Sequence, residues 1–371
     1  LFLVVIALLP LILVSCTGTA QPKGGWSGPT VHDGVIYVGT TDGRVVAINS
    51  STQSEQWTHT ITSIIYTTPI VAGNLVYVGT YSGQVYALTI DRGTERWVYP
   101  RTGSMGAIVG SPVIADETIY ISSSDGRVYA LDTTYGDLKW KSDPLGERLK
   151  LWTSPAVVGD TLYVSTFDGH IYALSAETGE LLDWFFESEA GFASSPVIDA
   201  DTIYVGSFDH HLYAIGIGSN ISSMWKFPQE NPAGNWFWAS PIVNEGIVYA
   251  GCLDGKLYAI SAETGEELWQ FESTDAQGKA TPIVSSPVLM DNLLIIANES
   301  GNVYVINPET GEGEQIKNPE NDNKPTINAQ IRTPLCAHEG LVYIRGEDNQ
   351  LYGVDIEKGE LSWNISLTRE E

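Results

Sequence analysis

The residues of this sequence that could do chemistry are tryptophans outside the repeat pattern, a few histidines beside acidic turns, and cysteines. Four tryptophans, Trp26, Trp152, Trp236 and Trp238, break the pattern that the other seven follow, and Asn235-Trp236-Phe237-Trp238 is the densest aromatic segment. Aromatics gathered on a rim suit binding of a peptide, a carbohydrate or a quinone; the alternative is a packed cap. His170 and His211 stand at equivalent places in adjacent repeats, with His210 beside them. Such a pair could hold a metal or sense pH, but no cysteine is near to complete a site, so solvated turn residues are expected. Aspartates precede turn glycines at Asp42, Asp125, Asp168 and Asp254. They could form a calcium ring, but the preferred role is to favour the turn itself. Cys252 and Cys336 fall in strand patterns of the sixth and eighth repeats. Those repeats should not be neighbours, so two small buried residues are expected, without a disulfide. No nucleophile–base set, phosphate loop or zinc spacing occurs.

What must position these residues is an internal repeat. SPVIADETIYISSSDGRVYALDTTYGDLKW (111–140) returns as SPAVVGDTLYVSTFDGHIYALSAETGELLDW (154–184) and as SPIVNEGIVYAGCLDGKLYAISAETGEELW (240–269). The opening proline recurs at Pro29, Pro69, Pro112, Pro155, Pro196, Pro241, Pro287 and Pro334, at spacings of 40 to 47 residues. Each copy holds four strand signals, the fourth around Trp57, Trp97, Trp140, Trp184, Trp225, Trp269 or Trp363, with Gln315 in that place in the seventh copy. Asp-Gly pairs mark a tight hairpin between strands two and three. Glycines such as Gly93, Gly136 and Gly359 mark the turn between strands three and four. A four-stranded meander cannot bury both faces alone, but eight copies can stack radially and close. The expected fold is therefore all-β, an eight-bladed β-propeller of four-stranded antiparallel blades over 27–371. The seven tryptophans would wedge between blades, contributing about 1.5–3 kcal/mol each by area. In such a meander the loop between strands two and three shares a side with the blade-to-blade connection. All four tryptophans outside the repeat pattern precede an opening proline, so they should share that face. The long polar connections 273–285 and 316–331 are further candidates, since long loops on rigid scaffolds often carry function.

The chain carries 19 Lys plus Arg against 45 Asp plus Glu, a net charge of −26. This field repels phosphate backbones, so nucleic acid is not an expected partner. Any membrane attachment must come from something other than charge. Residues 1–15, LFLVVIALLPLILVS, are apolar and uncharged, too short for a comfortable span, and read as a signal-peptide core. The start methionine and basic region are missing, so the natural chain is expected to be longer or to begin at a different codon. Leu13-Val14-Ser15-Cys16 is similar to the bacterial lipobox. That similarity implies a cleaved signal peptide at 1–15, lipidation of Cys16 and a lipidated linker at 16–26. The expected location is an exported, membrane-anchored one. In a diderm this is the periplasmic side of the outer membrane, and in a monoderm the outer face of the cytoplasmic membrane.

The consensus SPVV…YVGS.DG.LYALD..TG...W resembles the PQQ-like (quinoprotein) propeller repeat across essentially all of 27–371. In one branch, the quinoprotein alcohol dehydrogenases, the resemblance would imply pyrroloquinoline quinone (PQQ) over a calcium ion and an adjacent cysteine pair. This sequence lacks the pair, and that family's calcium ligands and catalytic aspartate do not map onto it. In the other branch, the BamB-like outer-membrane assembly lipoproteins, the propeller binds no cofactor and serves as a scaffold for a partner that inserts β-barrels. Size, the lipobox and the lack of extra domains favour this branch. It places partner contacts in loops between mid-chain blades. Leu149-Lys150-Leu151-Trp152 is loosely similar to its leucine-bearing segment, whereas Glu189-Ala190-Gly191-Phe192 lacks the family's acidic pair. The candidate partner-binding set is Leu149, Leu151, Trp152, Trp236, Phe237 and Trp238. The expected function is a non-catalytic, lipid-anchored scaffold for envelope proteins, a barrel-assembly machine among them, with no cofactor. The alternatives are a PQQ- and calcium-dependent dehydrogenase and a surface carbohydrate- or peptide-binding propeller.

Overall fold

The computed structural model describes residues 27–146, 151–217, 223–320 and 324–368. Cys16, Trp26 and Leu149, with the signal-peptide and linker segments 1–15 and 16–26, lie outside the described residues. In blade 1 the strands are Thr30–His32, Val35–Gly39, Arg44–Asn49 and Glu55–Thr60, hydrogen-bonded in chain order. Seven further four-stranded antiparallel sheets repeat the plan over 70–99, 113–141, 156–187, 197–227, 242–272, 288–315 and 336–366. The eight-bladed all-β propeller is the observed fold.

Strand alternation sends successive side chains to opposite faces. In blade 1, Ile36 and Val38 face blade 8, while Tyr37 faces blade 2. Both faces of the inner strands are therefore buried, which explains their nearly continuous apolar runs. The described residues form eight buried clusters, each shared by two consecutive blades. The last joins Tyr343 and Leu351 of blade 8 to Ile36, Val38, Val46 and Ile48 of blade 1. Hydrophobic burial thus closes the ring, and blades 1 and 8 are each built from one continuous segment.

The repeated tyrosine and tryptophan act as one device. Register aligns Tyr77, Ala87 and Trp97 across three neighbouring strands. The small central alanine lets the two rings meet at 5.8 Å. Tyr77 Oη and Trp97 Nε1 then donate to the same carbonyl, Thr133 O on the next blade, at 3.1 and 3.0 Å. Tyr120 and Trp140 clamp Ala176 O likewise, and Tyr249 and Trp269 clamp Pro308 O. The indoles of Trp57, Trp97, Trp140, Trp225 and Trp269 lie on the turn glycine of the following blade. A Cβ at Gly136 would come within 2.4 Å of Trp97, and one at Gly179 within 2.3 Å of Trp140. Blade 7 has Gln315 instead of tryptophan, and Gly359 of blade 8 has nothing within 4 Å of where its Cβ would be. Trp184 departs from the pattern. It meets Tyr163 edge-on at 80°, and its Nε1 has no hydrogen-bond partner.

Candidate functional site

Hairpin loops and blade connections share one face. The residue before a turn aspartate rests its amide on the connection that leads into its own blade: Phe208 N–H donates to Gly191 O at 2.8 Å, Leu253 to Trp236 O at 3.0 Å and Glu347 to Gln330 O at 3.0 Å. The tryptophans outside the repeat, Trp152, Trp236 and Trp238 among the described residues, are accordingly brought to one rim. They are joined there by two rings outside the expected set, Phe167 and Phe208, which occupy this same hairpin position in blades 4 and 5. Trp152 meets Phe167 edge-on at 5.4 Å, Phe167 meets Phe208 at 5.3 Å, and Phe208 meets Trp236 at 5.0 Å and Trp238 at 6.1 Å. Edge-to-face contacts of this kind stiffen an array beyond the burial they supply. Trp236 remains 39 % exposed. The signal for Phe167 and Phe208 was in the repeat: their position holds Thr41, Ser124 and Glu299 in other copies.

Two members of the expected partner-binding set are corrected. Leu151 and Phe237 are fully buried. Leu151 belongs to the core between blades 3 and 4, and Phe237 to that between blades 5 and 6. Connections 283 and 192 likewise plug their blades with the fully buried Ile283 and Phe192. Each such side chain covers the small residue that ends a second strand: a Cβ at Gly206 would clash with Phe237. In blades 2 to 7 the apolar residue four before the opening proline, Ile65, Ile108, Leu151, Phe192, Phe237 or Ile283, is thus a plug, and its neighbours face the rim.

Beneath the rim, the channel mouth holds a cavity of about 150 Å³ whose wall includes Tyr66, Trp152, Phe167, Trp238 and Arg332. Its polar wall is formed by the hydroxyl residues that precede the opening prolines, and several of these tie blades together. Thr68 N–H donates to Ser111 Oγ and Ser154 N–H to Ser195 Oγ, both at 2.9 Å. Arg332 Nε–H donates to Glu299 Oε1 at 2.7 Å, and its Nη1 lies 3.3 Å from Glu347 Oε1. The rim is therefore two-sided, aromatic over blades 4 to 6 and ionic over blades 7 and 8.

The remaining candidates are structural. Asp254 Oδ1 accepts Lys256 N–H at 3.0 Å, while its Oδ2 accepts the Tyr258 hydroxyl at 2.8 Å. Asp125, Asp209 and Asp348 repeat both bonds. These aspartates hold the turn and a strand tyrosine. His170 Nδ1 lies 3.2 Å from Asp168, and His211 Nδ1 lies 3.3 Å from Asp209. His211 is buried, contrary to the expected solvated position. Cys252 is buried just past its strand, and its Sγ donates to Asn235 O at 3.3 Å. Burial first, then the Asp254 charge, pushes this thiol far above its usual range. Cys336 is half-buried, and both cysteines are free. The long connections are anchored by the buried Ile283, Ile316, Ile327 and Ile331. Among the described residues no three His, Cys, Asp or Glu side chains converge as a metal site. Calcium takes six to eight oxygen ligands, and Glu299 and Glu347 are engaged by Arg332. The residues present do not fit a calcium-bound quinone.

Residues 17–219 and 224–324 match the family described as "Outer membrane protein assembly factor BamB". Among solved structures, BamB from Moraxella catarrhalis is 18 % identical with a TM-score of 0.68, covering 87 % of this chain and 91 % of that one. The computationally designed Ika8 protein is 16 % identical, TM-score 0.70, covering 92 % and 97 %. The quinohemoprotein alcohol dehydrogenase ADHIIG from Pseudomonas putida HK5 is 14 % identical, TM-score 0.65, covering 89 % of this chain and 70 % of that one. At these identities the likeness is one of fold. No curated protein matches the chain.

Proposed function

This chain belongs to the family described as outer membrane protein assembly factor BamB, and from that membership we propose a non-catalytic interaction scaffold of the bacterial envelope, tethered by a lipid on Cys16. The observation that carries the reading is the aromatic array Trp152–Phe167–Phe208–Trp236 on one rim. A rigid, partly exposed set of aromatic rings is the composition that anchors protein interfaces. Its contact set is Trp152, Phe167, Phe208, Trp236 and Trp238, with Leu151 and Phe237 beneath as supports. The donor set around the channel mouth supports the absence of a calcium–quinone cofactor. A barrel-assembly machine is the partner that the family description favours.

The test is affinity capture of the lipidated protein from detergent-solubilised membranes, with quantitative mass spectrometry. Enrichment of a barrel-insertion machine, lost in Trp236→Ala, is expected; a rim tryptophan contributes about 2 kcal/mol or more to such an interface. Capture unaffected by Trp236→Ala and Trp152→Ala would remove the rim from the interface. Calorimetric binding of PQQ with calcium would instead support a dehydrogenase.

A further inference from the structure

The outer wall of the propeller carries a second feature, unrelated to the rim. Every fourth strand is the edge of its sheet, its outer side bridged in blade 8 by Lys317 at Glu360, and edge strands are templates for another strand unless blunted by charge or shortness. Most here are blunted. Blade 1 presents Glu55, Gln56 and Thr60 to solvent, blade 2 presents Glu95 and Arg96, and blade 8 presents Ser362, Asn364 and Ser366. Blade 4 is different. Its outer strand, Leu181–Glu187, is seven residues long and reads LLDWFFE. Leu181 is 58 % exposed and Phe185 56 %, with Leu182 also exposed. Past a bulge opposite Tyr172 and Leu174 the alternation is regular: Trp184 and Phe186 pack inward, while Phe185 and Glu187 face out. Single apolar residues, Leu138, Met224 and Leu268, are exposed on the outer strands of blades 3, 5 and 6. Where the strand begins, a groove of about 250 Å³ opens between blades 3 and 4, lined by Leu145, Leu174, Leu181 and Lys141.

We propose that Leu181–Glu187 is a β-augmentation site that accepts an extended polypeptide whose apolar residues alternate with lysine or arginine. Main-chain pairing to the free edge would hold the segment, and side-chain pockets would choose it. Charge selects the occupant. The strand exposes Asp183 and Glu187, its preceding turn exposes Glu180, and 181–187 contains no cation. A second copy would set carboxylates against carboxylates and bring together two chains of net charge −26, so self-pairing is disfavoured. A basic, alternating strand satisfies both the apolar positions and the carboxylates.

The experiment uses the whole chain and a fluorescently labelled peptide alternating lysine with valine, with a glutamate–valine peptide as control. Anisotropy should report binding of the basic peptide alone, weakening as salt rises. Phe185→Lys and the double change Asp183→Lys, Glu187→Lys should each weaken it about tenfold or more. Both sites are exposed, so circular dichroism should be unchanged. Hydrogen exchange should show added amide protection confined to 181–187. Trp236→Ala should leave peptide binding intact, which separates this site from the rim. Absence of binding, equal binding of both peptides, or binding without protection at 181–187 would overturn the proposal.

Discussion

Burial acts strongly on several tyrosine hydroxyls. Burial, followed by the Asp132 charge, pushes Tyr77 from its ordinary value near 10 up to about 12. Burial, reinforced by the accepting turn aspartate, raises Tyr129, Tyr213, Tyr258 and Tyr352 further. Between pH 10 and 12 the unfolded chain gives up these protons and the folded chain keeps them. Fewer protons are then bound in the unfolded state, so stability falls as pH rises. Stability should be flat with respect to tyrosine below pH 10 and decline steeply from 10 towards 12, as read from urea midpoints across that range. A flat alkaline profile would mean that the hydroxyls are hydrated. The same accounting shows why the aspartates serve structure: both oxygens of Asp254 are already taken.

At the scale of the blade, the tryptophan–glycine contact is the recurring joint. Gly136 and Gly359 have similar φ values of +70° and +67°, so alanine at either site costs about 1–2 kcal/mol of left-handed strain. Only Gly136 lies against an indole, with its would-be Cβ 2.4 Å from Trp97. Overpacking there adds about 1–3 kcal/mol. Gly136→Ala should therefore lower the thermal midpoint clearly more than Gly359→Ala does, and equal losses would refute the wedge. The blade plan itself was legible in the sequence: strand periods, hairpin aspartates, tryptophans and turn glycines are local signals that recur. The rim was legible in part. Strand order placed Trp152, Trp236 and Trp238 on one face, but Leu151 and Phe237 were misassigned. Position in a loop does not reveal which way a side chain points, and the blade below needed a plug.

At the scale of the ring, closure depends on packing between two separate segments. Arg44, buried at the seam, pairs with Asp42 at 2.8 Å and donates to Leu367 O, tying blade 1 to the chain just past blade 8. Arg345, on the second strand of blade 8, is fully buried, and burial pushes its guanidinium down to about 10. Its Nε and Nη1 have no hydrogen-bond partner, although Nη2 donates to Asn349 at 3.2 Å. An under-paired buried cation weakens the element that holds it. The 8–1 seam should consequently be the first unit to open. Native-state hydrogen exchange should be fastest among the inner strands of 30–60 and 336–366, and Arg44→Ala should accelerate those blades while sparing 156–272. Uniform exchange around the ring would show that the seam is as firm as the other interfaces.

The sequence by itself determined the repeat, its four strands, the turn chemistry, the blade number and the common face of the loops, because each depends on residues close in the chain or on a fixed period. Tertiary structure decided what depends on neighbours remote in sequence. It made Phe237 a plug and Trp236 a surface ring, although the two are adjacent. It linked Phe167 and Phe208 into an aromatic chain, paired Arg332 with carboxylates of two blades, and buried His211. It also left the outer strand of blade 4 with Leu181, Leu182 and Phe185 exposed to solvent. Burial is a property of the assembled ring, where each blade's faces are completed by the next, and no single repeat contains that information.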